Sequence, residues 1–272
     1  MRKQFLTELA VLQQIRNVME CESKRNEDEQ EAKSLRIDEQ NNPLTPFFRD
    51  KGDGLTAQQR AAVISVQARY EAAGIPKGYR DIYLDNSPAR EGQAEIYSLL
   101  ESYVKTFTAD DVRIKNLYLV SHAVGTGKTT TSAVLINEYI RRRFMYLASK
   151  GRTIPEVLAL FMDVNDVQTR YNMASMSNDD EEMARIVADI KRYSTVPFLV
   201  CDDIGLRNAS ESYRALVHAV INERLTNDLP TVYTSNVPIS DLANMFDARL
   251  ADRIGDMCGV LQFSGSSKRG KR

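Results

Sequence analysis

Four groups of residues in this chain of 272 have the types and spacing to handle phosphate. The first is Ser121-His122-Ala123-Val124-Gly125-Thr126-Gly127-Lys128-Thr129-Thr130. It follows the apolar run Leu117-Tyr118-Leu119-Val120 and precedes apolar residues at helical spacing, Ala133, Val134, Ile136, Tyr139 and Ile140. A strand, a glycine-rich turn, Gly-Lys-Thr and a helix aim backbone N–H groups and the positive end of a helix dipole at phosphate oxygens. In such a cradle Val124, Gly125, Thr126, Gly127 and Thr130 surround the anion. Lys128 reaches the β- and γ-phosphates, and the Thr129 hydroxyl holds Mg2+. The motif asks for glycine five residues before Gly127, where this chain has His122. An ordinary glycine-rich turn is the alternative.

The second group is Phe198-Leu199-Val200-Cys201-Asp202-Asp203, four apolar residues followed by two carboxylates. A buried strand ending on a carboxylate pair is costly unless a cation is nearby. With a phosphate-binding turn upstream that cation is the Mg2+ of a bound nucleotide, held by Asp202, while Asp203 polarises the attacking water as general base. Capping aspartates at a polar strand end are the alternative. The third group ends the next apolar run, Thr231-Val232-Tyr233-Thr234-Ser235-Asn236, where Asn236 is placed to hydrogen-bond the γ-phosphate and the water. Ser-Asn after a strand is also a common turn. The fourth is Arg249-Leu250-Ala251-Asp252-Arg253-Ile254, two guanidinium groups four residues apart on one helix face. Planar guanidinium suits phosphate, and a surface ion-pair helix is the alternative.

The elements that position these groups are legible from periodicity. Phe5, Leu9, Leu12, Ile15 and Met19 form one apolar stripe along a helix over residues 2–20, and residues 20–33 are dominated by charge. A second helix runs from Thr56 as N-cap to Ala73, with Gly74 and Pro76 beyond. Ser87-Pro88 opens a third, carrying Ile96, Leu99, Leu100, Val104 and Phe107. Then come strand 117–120, helix from Thr129 to about Arg143, and residues 157–162 as strand or buried helix turn. Asn178 to Glu182 begin a helix ending near Tyr193, followed by strand 198–201. The series closes with helix 210–227, strand 231–234, helices near 240–245 and 247–254, and strand 260–263. Strands alternating with helices predict a three-layer α/β fold with a parallel sheet, whose ligands sit at the carboxyl ends of the strands.

Composition narrows the class further. Hydrophobic residues make up 43% and charged residues 27%, as in soluble globular proteins. A net charge of -1 gives no global attraction to nucleic acid or anionic membrane, so a DNA contact has to be a local patch. The basic candidates are Arg141-Arg142-Arg143 and the tail from Lys268 to Arg272. No apolar run approaches a membrane span and no signal peptide is evident, so a cytoplasmic protein is expected. Cys21, Cys201 and Cys258 suggest neither a disulfide framework nor a zinc site.

Taken in order, five segments resemble the AAA+ replicative helicase loaders of the DnaC/DnaI family, over about residues 74 to 269. They are Gly74-Ile75-Pro76-Lys77-Gly78-Tyr79-Arg80, Val124 to Thr129, Leu199 to Gly205, Leu229 to Asn236 and Arg249 to Ile254. Ser267-Lys268-Arg269 is similar to the family's sensor 2. The resemblance implies an α/β AAA+ P-loop ATPase core with a parallel five-stranded sheet over residues 74–272. A helical N-terminal segment, residues 1–73, precedes it. It also implies ATP and Mg2+ as ligands, Lys128 and Thr129 as Walker A, Asp202 and Asp203 as Walker B, and Asn236 as sensor 1. Arg269 is implied as sensor 2, and Arg253 as an arginine finger for self-association, with Arg249 a helper. A finger supplied in trans makes hydrolysis slow and assembly-dependent.

The implied partners are a hexameric, DnaB-like replicative helicase, bound through the N-terminal segment, and single-stranded DNA. Three departures stand out: His122, Asp203 where many AAA+ proteins carry glutamate, and the absence of the N-terminal zinc-binding cysteines of some loaders, which suits a phage or mobile-element branch. An IstB-like AAA+ ATPase assisting DNA transposition is the related alternative, and a small-molecule nucleotide kinase a more distant one.

Overall fold

A computed structural model describes residues 57–205 and 209–265. The stripe from Phe5 to Met19, the charged stretch after it and the segment Ser267 to Arg272 lie outside the described residues. The chain divides into two compact units, Met1–Ser65 and Val66–Arg272; the second carries the residues singled out above within the described range.

Five parallel strands form one sheet: β1 (Asn116–Val120), β2 (Ala159–Asp163), β3 (Phe198–Asp202), β4 (Thr231–Ser235) and β5 (Cys258–Gln262). Their order across the sheet is β2-β3-β4-β1-β5. The helices are α1 (Ala57–Ala72), α2 (Ala94–Tyr103), α3 (Lys128–Ser149), α4 (Val164–Ser177), α5 (Asp180–Thr195), α6 (Glu211–Thr226), α7 (Ile239–Met245) and α8 (Ala248–Met257). Register pairs Asp163 with Asp202, Val120 with Ser235 and Val120 with Gln262, so the carboxyl ends line up along one edge.

Both faces of the inner strands are covered, which is why β1 and β3 read as nearly continuous apolar runs, whereas Val260 and Gln262 of the edge strand β5 are exposed. On one face Tyr118, Met162, Leu199, Cys201 and Tyr233 enter a buried cluster with residues of α4, α5, α6, α7 and α8. On the other, Phe198 stacks on Tyr139 of α3 with ring centroids 4.4 Å apart, and Phe107 meets both edge-on. Each such aromatic pair adds about 1 kcal/mol beyond the area it buries. The edge of β2 is closed by Phe161 N–H donating to Ala73 O at 2.7 Å.

Arg224 of α6 is fully buried without a carboxylate partner. It donates to the carbonyls of Tyr193, Val196 and Pro230 and to the Thr231 hydroxyl at 2.8–2.9 Å, which ties the end of α5 to the start of β4. Burial lowers its pKa to about 10.

The structure corrects two expectations, decides a third between its two alternatives and adds one helix. Ser87-Pro88 does not open a helix. The Ser87 hydroxyl is drawn to Tyr97 Oη at 2.5 Å, residues 88–90 form a turn, and a 3-10 turn (Glu91–Gln93) leads into α2. The helix after the glycine-rich turn continues past Arg143 to Ser149, because Phe144 and Leu147 extend its buried face. Residues 157–162 resolve as strand β2, starting at Ala159. Helix α4 was not anticipated: Asp163 is both the last residue of β2 and the N-cap, accepting from Asn165 and Asp166 N–H at 3.0 Å, so no loop announces the helix.

Candidate nucleotide site

The turn between β1 and α3 has the geometry of a phosphate cradle. Gly125 and Gly127 take φ values of +72° and +99°, a region that side chains rarely adopt. Gly127 is constrained a second time, since a Cβ there would lie 2.8 Å from the Cβ of Ala89. Lys128 begins α3, and its ammonium donates to the carbonyls of Ser121 and Ala123 at 3.3 and 3.2 Å. His122, between those carbonyls, is exposed. It is not among the non-glycine residues with positive φ, so a side chain is accommodated there without backbone strain. Val124 is exposed at the tip of the turn, while Thr126 and Thr130 are buried.

The carboxylate pair sits beside this turn. Thr129 Oγ1 donates to Asp202 Oδ2 at 3.1 Å, and Thr234 Oγ1 donates to Asp202 Oδ1 at 2.7 Å. Burial pushes the Asp202 carboxyl up to about 6, against the opposing pull of those two hydroxyls. The Thr234 oxygen also accepts Asp203 N–H at 2.9 Å, so one side chain fixes both aspartates. Asp203 has φ +60°, a strained conformation for a residue with a side chain, of a kind that collects at functional sites. Its Oδ2 accepts from the Asn165 amide, in the first turn of α4, at 3.0 Å. Asn236 follows β4, and its Oδ1 is buried with no hydrogen-bond partner among the described residues.

A divalent cation with a triphosphate fits these residues. Asp202 is a buried carboxylate whose neighbours are two hydroxyls, with no cationic side chain bonded to it, and Thr129 supplies an oxygen on the same side. Among the described residues no cluster of three or more His, Cys, Asp or Glu could hold a metal alone. A magnesium ion that takes one or two protein oxygens and completes its shell with phosphate and water suits this donor set.

The structure thus brings Thr129, Asp202 and Asp203 together beside the glycine-rich turn. Arg253, on α8, is half-buried and donates to Asn222 Oδ1 at 2.5 Å and Thr226 Oγ1 at 3.2 Å, both on α6 of the same chain. Arg249 is exposed. Arg269 lies outside the described residues. The run Arg141-Arg142-Arg143 is not an open basic patch: Arg141 and Arg142 pair with the buried Glu138 at 2.7 and 2.8 Å, and Arg143 with Asp110 at 3.4 Å.

Three positioning residues had not been singled out from the sequence. Thr234 and Asn165 act on the carboxylate pair, and Gln93 donates to Thr126 O at 3.2 Å and Ser264 O at 2.7 Å, joining the turn to the segment after β5. Such long-range bonds leave no spacing signal. The strand-ending Thr234, one residue before Ser235-Asn236, is the only one whose position offered a hint.

A parallel sheet of order β2-β3-β4-β1-β5 with a phosphate turn after β1 and paired aspartates ending β3 defines a P-loop nucleotide-binding protein of the AAA+ type. Comparison with known proteins agrees with that class. The family model described as IstB-like ATP binding protein matches residues 157–272. The replicative helicase loader DnaC of Escherichia coli (strain K12) is 22% identical over 192 residues, 70% of this chain and 70% of the relative. DnaC of Buchnera aphidicola subsp. Schizaphis graminum (strain Sg) is 22% identical over 184 residues, 65% of this chain and 66% of the relative. Among solved structures, the DnaC helicase loader aligns with TM-score 0.49 at 22% identity, covering 70% of this chain and 100% of that one. DnaI aligns with TM-score 0.47 at 23% identity, covering 66% and 87%. The chain is similar to DnaC/DnaI-type loaders, as its motifs indicated. Among the described residues no helix is long and apolar enough to cross a membrane.

Proposed function

We propose that this protein is an AAA+ ATPase that binds a replicative helicase and delivers it to single-stranded DNA, with ATP binding and hydrolysis as the switch. The observation that carries the ATPase part is the arrangement around Thr234, which holds Asp202 and Asp203 side by side next to Thr129. The similarity to the loaders supports the helicase part.

In this reading the backbone of residues 124–130 and Lys128 hold the phosphates. Thr129 and Asp202 hold Mg2+, which when bound neutralises charge developing on the transferred phosphoryl group. Asp203 accepts a proton from the attacking water, and Asn165 sets the direction of its carboxylate. Asn236 Oδ1, an acceptor without a partner among the described residues, orients that water, and Arg269 adds charge from the C-terminal segment. The arginines of α8 meet the nucleotide of a neighbouring copy, so turnover is slow in the isolated chain. The stripe from Phe5 to Met19 docks in a groove of the helicase, and the basic tail from Lys268 to Arg272 contacts the DNA backbone.

The test is to mix the full-length protein with a hexameric replicative helicase from the same source and measure the mass of any complex. A defined stoichiometry, lost on deleting residues 1–40, is expected; no complex with the helicase overturns the loader reading. The match to an IstB-like family model favours one second reading, a transposition-assisting ATPase. Binding to a transposase in place of a helicase would select it.

A further inference from the structure

Residues 87–97 lie against the phosphate turn, and none of them belongs to the four groups read from the sequence. Three contacts join this segment to the turn and to the start of α3. Tyr97 Oη meets the Ser87 hydroxyl at 2.5 Å and the Thr131 hydroxyl at 3.1 Å. Ala89 fills the space into which a Cβ on Gly127 would point. Gln93 is buried, and its side-chain amide donates to Thr126 O at 3.2 Å and to Ser264 O at 2.7 Å.

The bond to Thr126 also orients the next donor in the chain. Thr126 O and the Gly127 N–H belong to one peptide unit, and in a trans peptide these two groups point in opposite directions. Every peptide among the described residues is trans. A carbonyl drawn towards Gln93 therefore turns the Gly127 N–H away from the packed side of the turn. Glycines on either side of Thr126, with φ of +72° and +99°, leave that peptide plane weakly fixed by the chain itself. The second bond of Gln93, to Ser264 O, holds the amide so that it cannot swing off the turn. The Gly127 N–H has no partner among the described residues. A backbone donor without a partner, just before Lys128, is open to a phosphate oxygen.

We propose that Gln93 is a positioning residue of the nucleotide site: by pinning the Thr126 carbonyl it aims the Gly127 N–H at a phosphate of the bound triphosphate. This rests on the nucleotide reading above. The aimed donor meets phosphate before and during hydrolysis alike, so its loss weakens binding and spares turnover of the bound nucleotide.

The experiment measures magnesium–ATP affinity by calorimetric titration, with KM, kcat and the urea midpoint, for the wild type, Gln93→Met, Gln93→Glu and Tyr97→Phe. Gln93→Met keeps the length and removes both donors. It is expected to bind ATP about ten-fold more weakly, the scale of one hydrogen bond to a charged oxygen, with KM raised and kcat within a few-fold. Gln93→Glu keeps the shape and sets an acceptor against the two carbonyls. It is expected to lose at least as much affinity, and it carries the test if the methionine variant does not fold. Tyr97→Phe removes a hydroxyl from the same segment without touching a carbonyl of the turn. Its urea midpoint should fall while its ATP affinity stays within a few-fold of wild type. Wild-type affinity in the Gln93 variants, or a fall in kcat at unchanged KM, overturns the assignment. An equal loss of affinity in Tyr97→Phe does so too, since the contact would then be merely structural. A wild type that binds no ATP removes the nucleotide reading itself, whereas normal binding by the wild type and the Gln93 variants alike removes this assignment alone.

Discussion

The Thr234 hydroxyl donates to Asp202 Oδ1 at 2.7 Å and accepts Asp203 N–H at 2.9 Å. One small side chain at the end of β4 therefore holds both carboxylates at the end of β3 in place. Thr234→Val keeps the shape and removes both bonds. It leaves a buried acceptor and a backbone donor short of a partner, at about 1–3 kcal/mol each. The expected result is a lower urea midpoint, and turnover reduced at least ten-fold with ATP affinity little changed. Urea titration and initial-rate kinetics check it.

Asp202 makes the apo protein sensitive to pH. Burial lifts its pKa from 3.8 to about 6, so the folded carboxyl keeps its proton where the unfolded one has lost it. The stability this contributes is present below pH 3.8 and is lost as pH rises through about 6. The distance between those values corresponds to about 3 kcal/mol. Asp202→Asn is therefore expected to be more stable than wild type at pH 7.5 without nucleotide, and to show no loss over that window. It should also lose magnesium-dependent turnover. Urea midpoints at several pH values check the first point, and kinetics the second.

Gly127 faces Ala89 with no room for a methyl group. Gly127→Ala combines a 2.8 Å overlap with an unfavourable φ of +99°. ATP affinity should fall at least ten-fold. Adding Ala89→Gly removes the overlap and leaves the backbone strain, so the double variant should recover only part of the loss in a calorimetric titration.

Arg224 is the internal strut between α5 and β4. Arg224→Leu leaves the carbonyls of Tyr193, Val196 and Pro230 without their donor in a closed interior. A loss of about 3 kcal/mol or more is expected from those orphaned acceptors, read as a lower urea midpoint. The folded fraction should bind ATP normally, because Arg224 does not touch the nucleotide site.

How much of this was visible beforehand depends on whether a residue's role is local. Asp202 and Asp203 stood out because a strand buried on both faces is a run of apolar residues, and charge at its end is conspicuous. Lys128 and Thr129 were marked by the glycines before them and the strand and helix around them. Helix α4 was hidden because β2 passes into it at Asp163 with no turn residue between, and Met173 and Met176, both exposed, blur its pattern. Its buried stripe of Val164, Val167 and Ala174, with Tyr171 partly buried, was nonetheless present at spacings of three and four. Arg141-Arg142-Arg143 read as open charge although Glu138 stands three and four residues before Arg141 and Arg142 on the same helix; only Asp110, the partner of Arg143, is brought in from a distant segment. Thr234, Asn165 and Gln93 act through bonds between distant segments, which spacing does not encode.

The central claim is that the pair at the end of β3 makes this a site for ATP hydrolysis, with Asp203 taking the proton from water. Magnesium–ATP affinity and single-turnover hydrolysis should be measured side by side for the wild type and Asp203→Asn. The account predicts equal affinity within a few-fold and hydrolysis at least 100-fold slower in the variant, as expected for loss of a general base. Equal hydrolysis by both proteins, or no ATP binding by either, would contradict it.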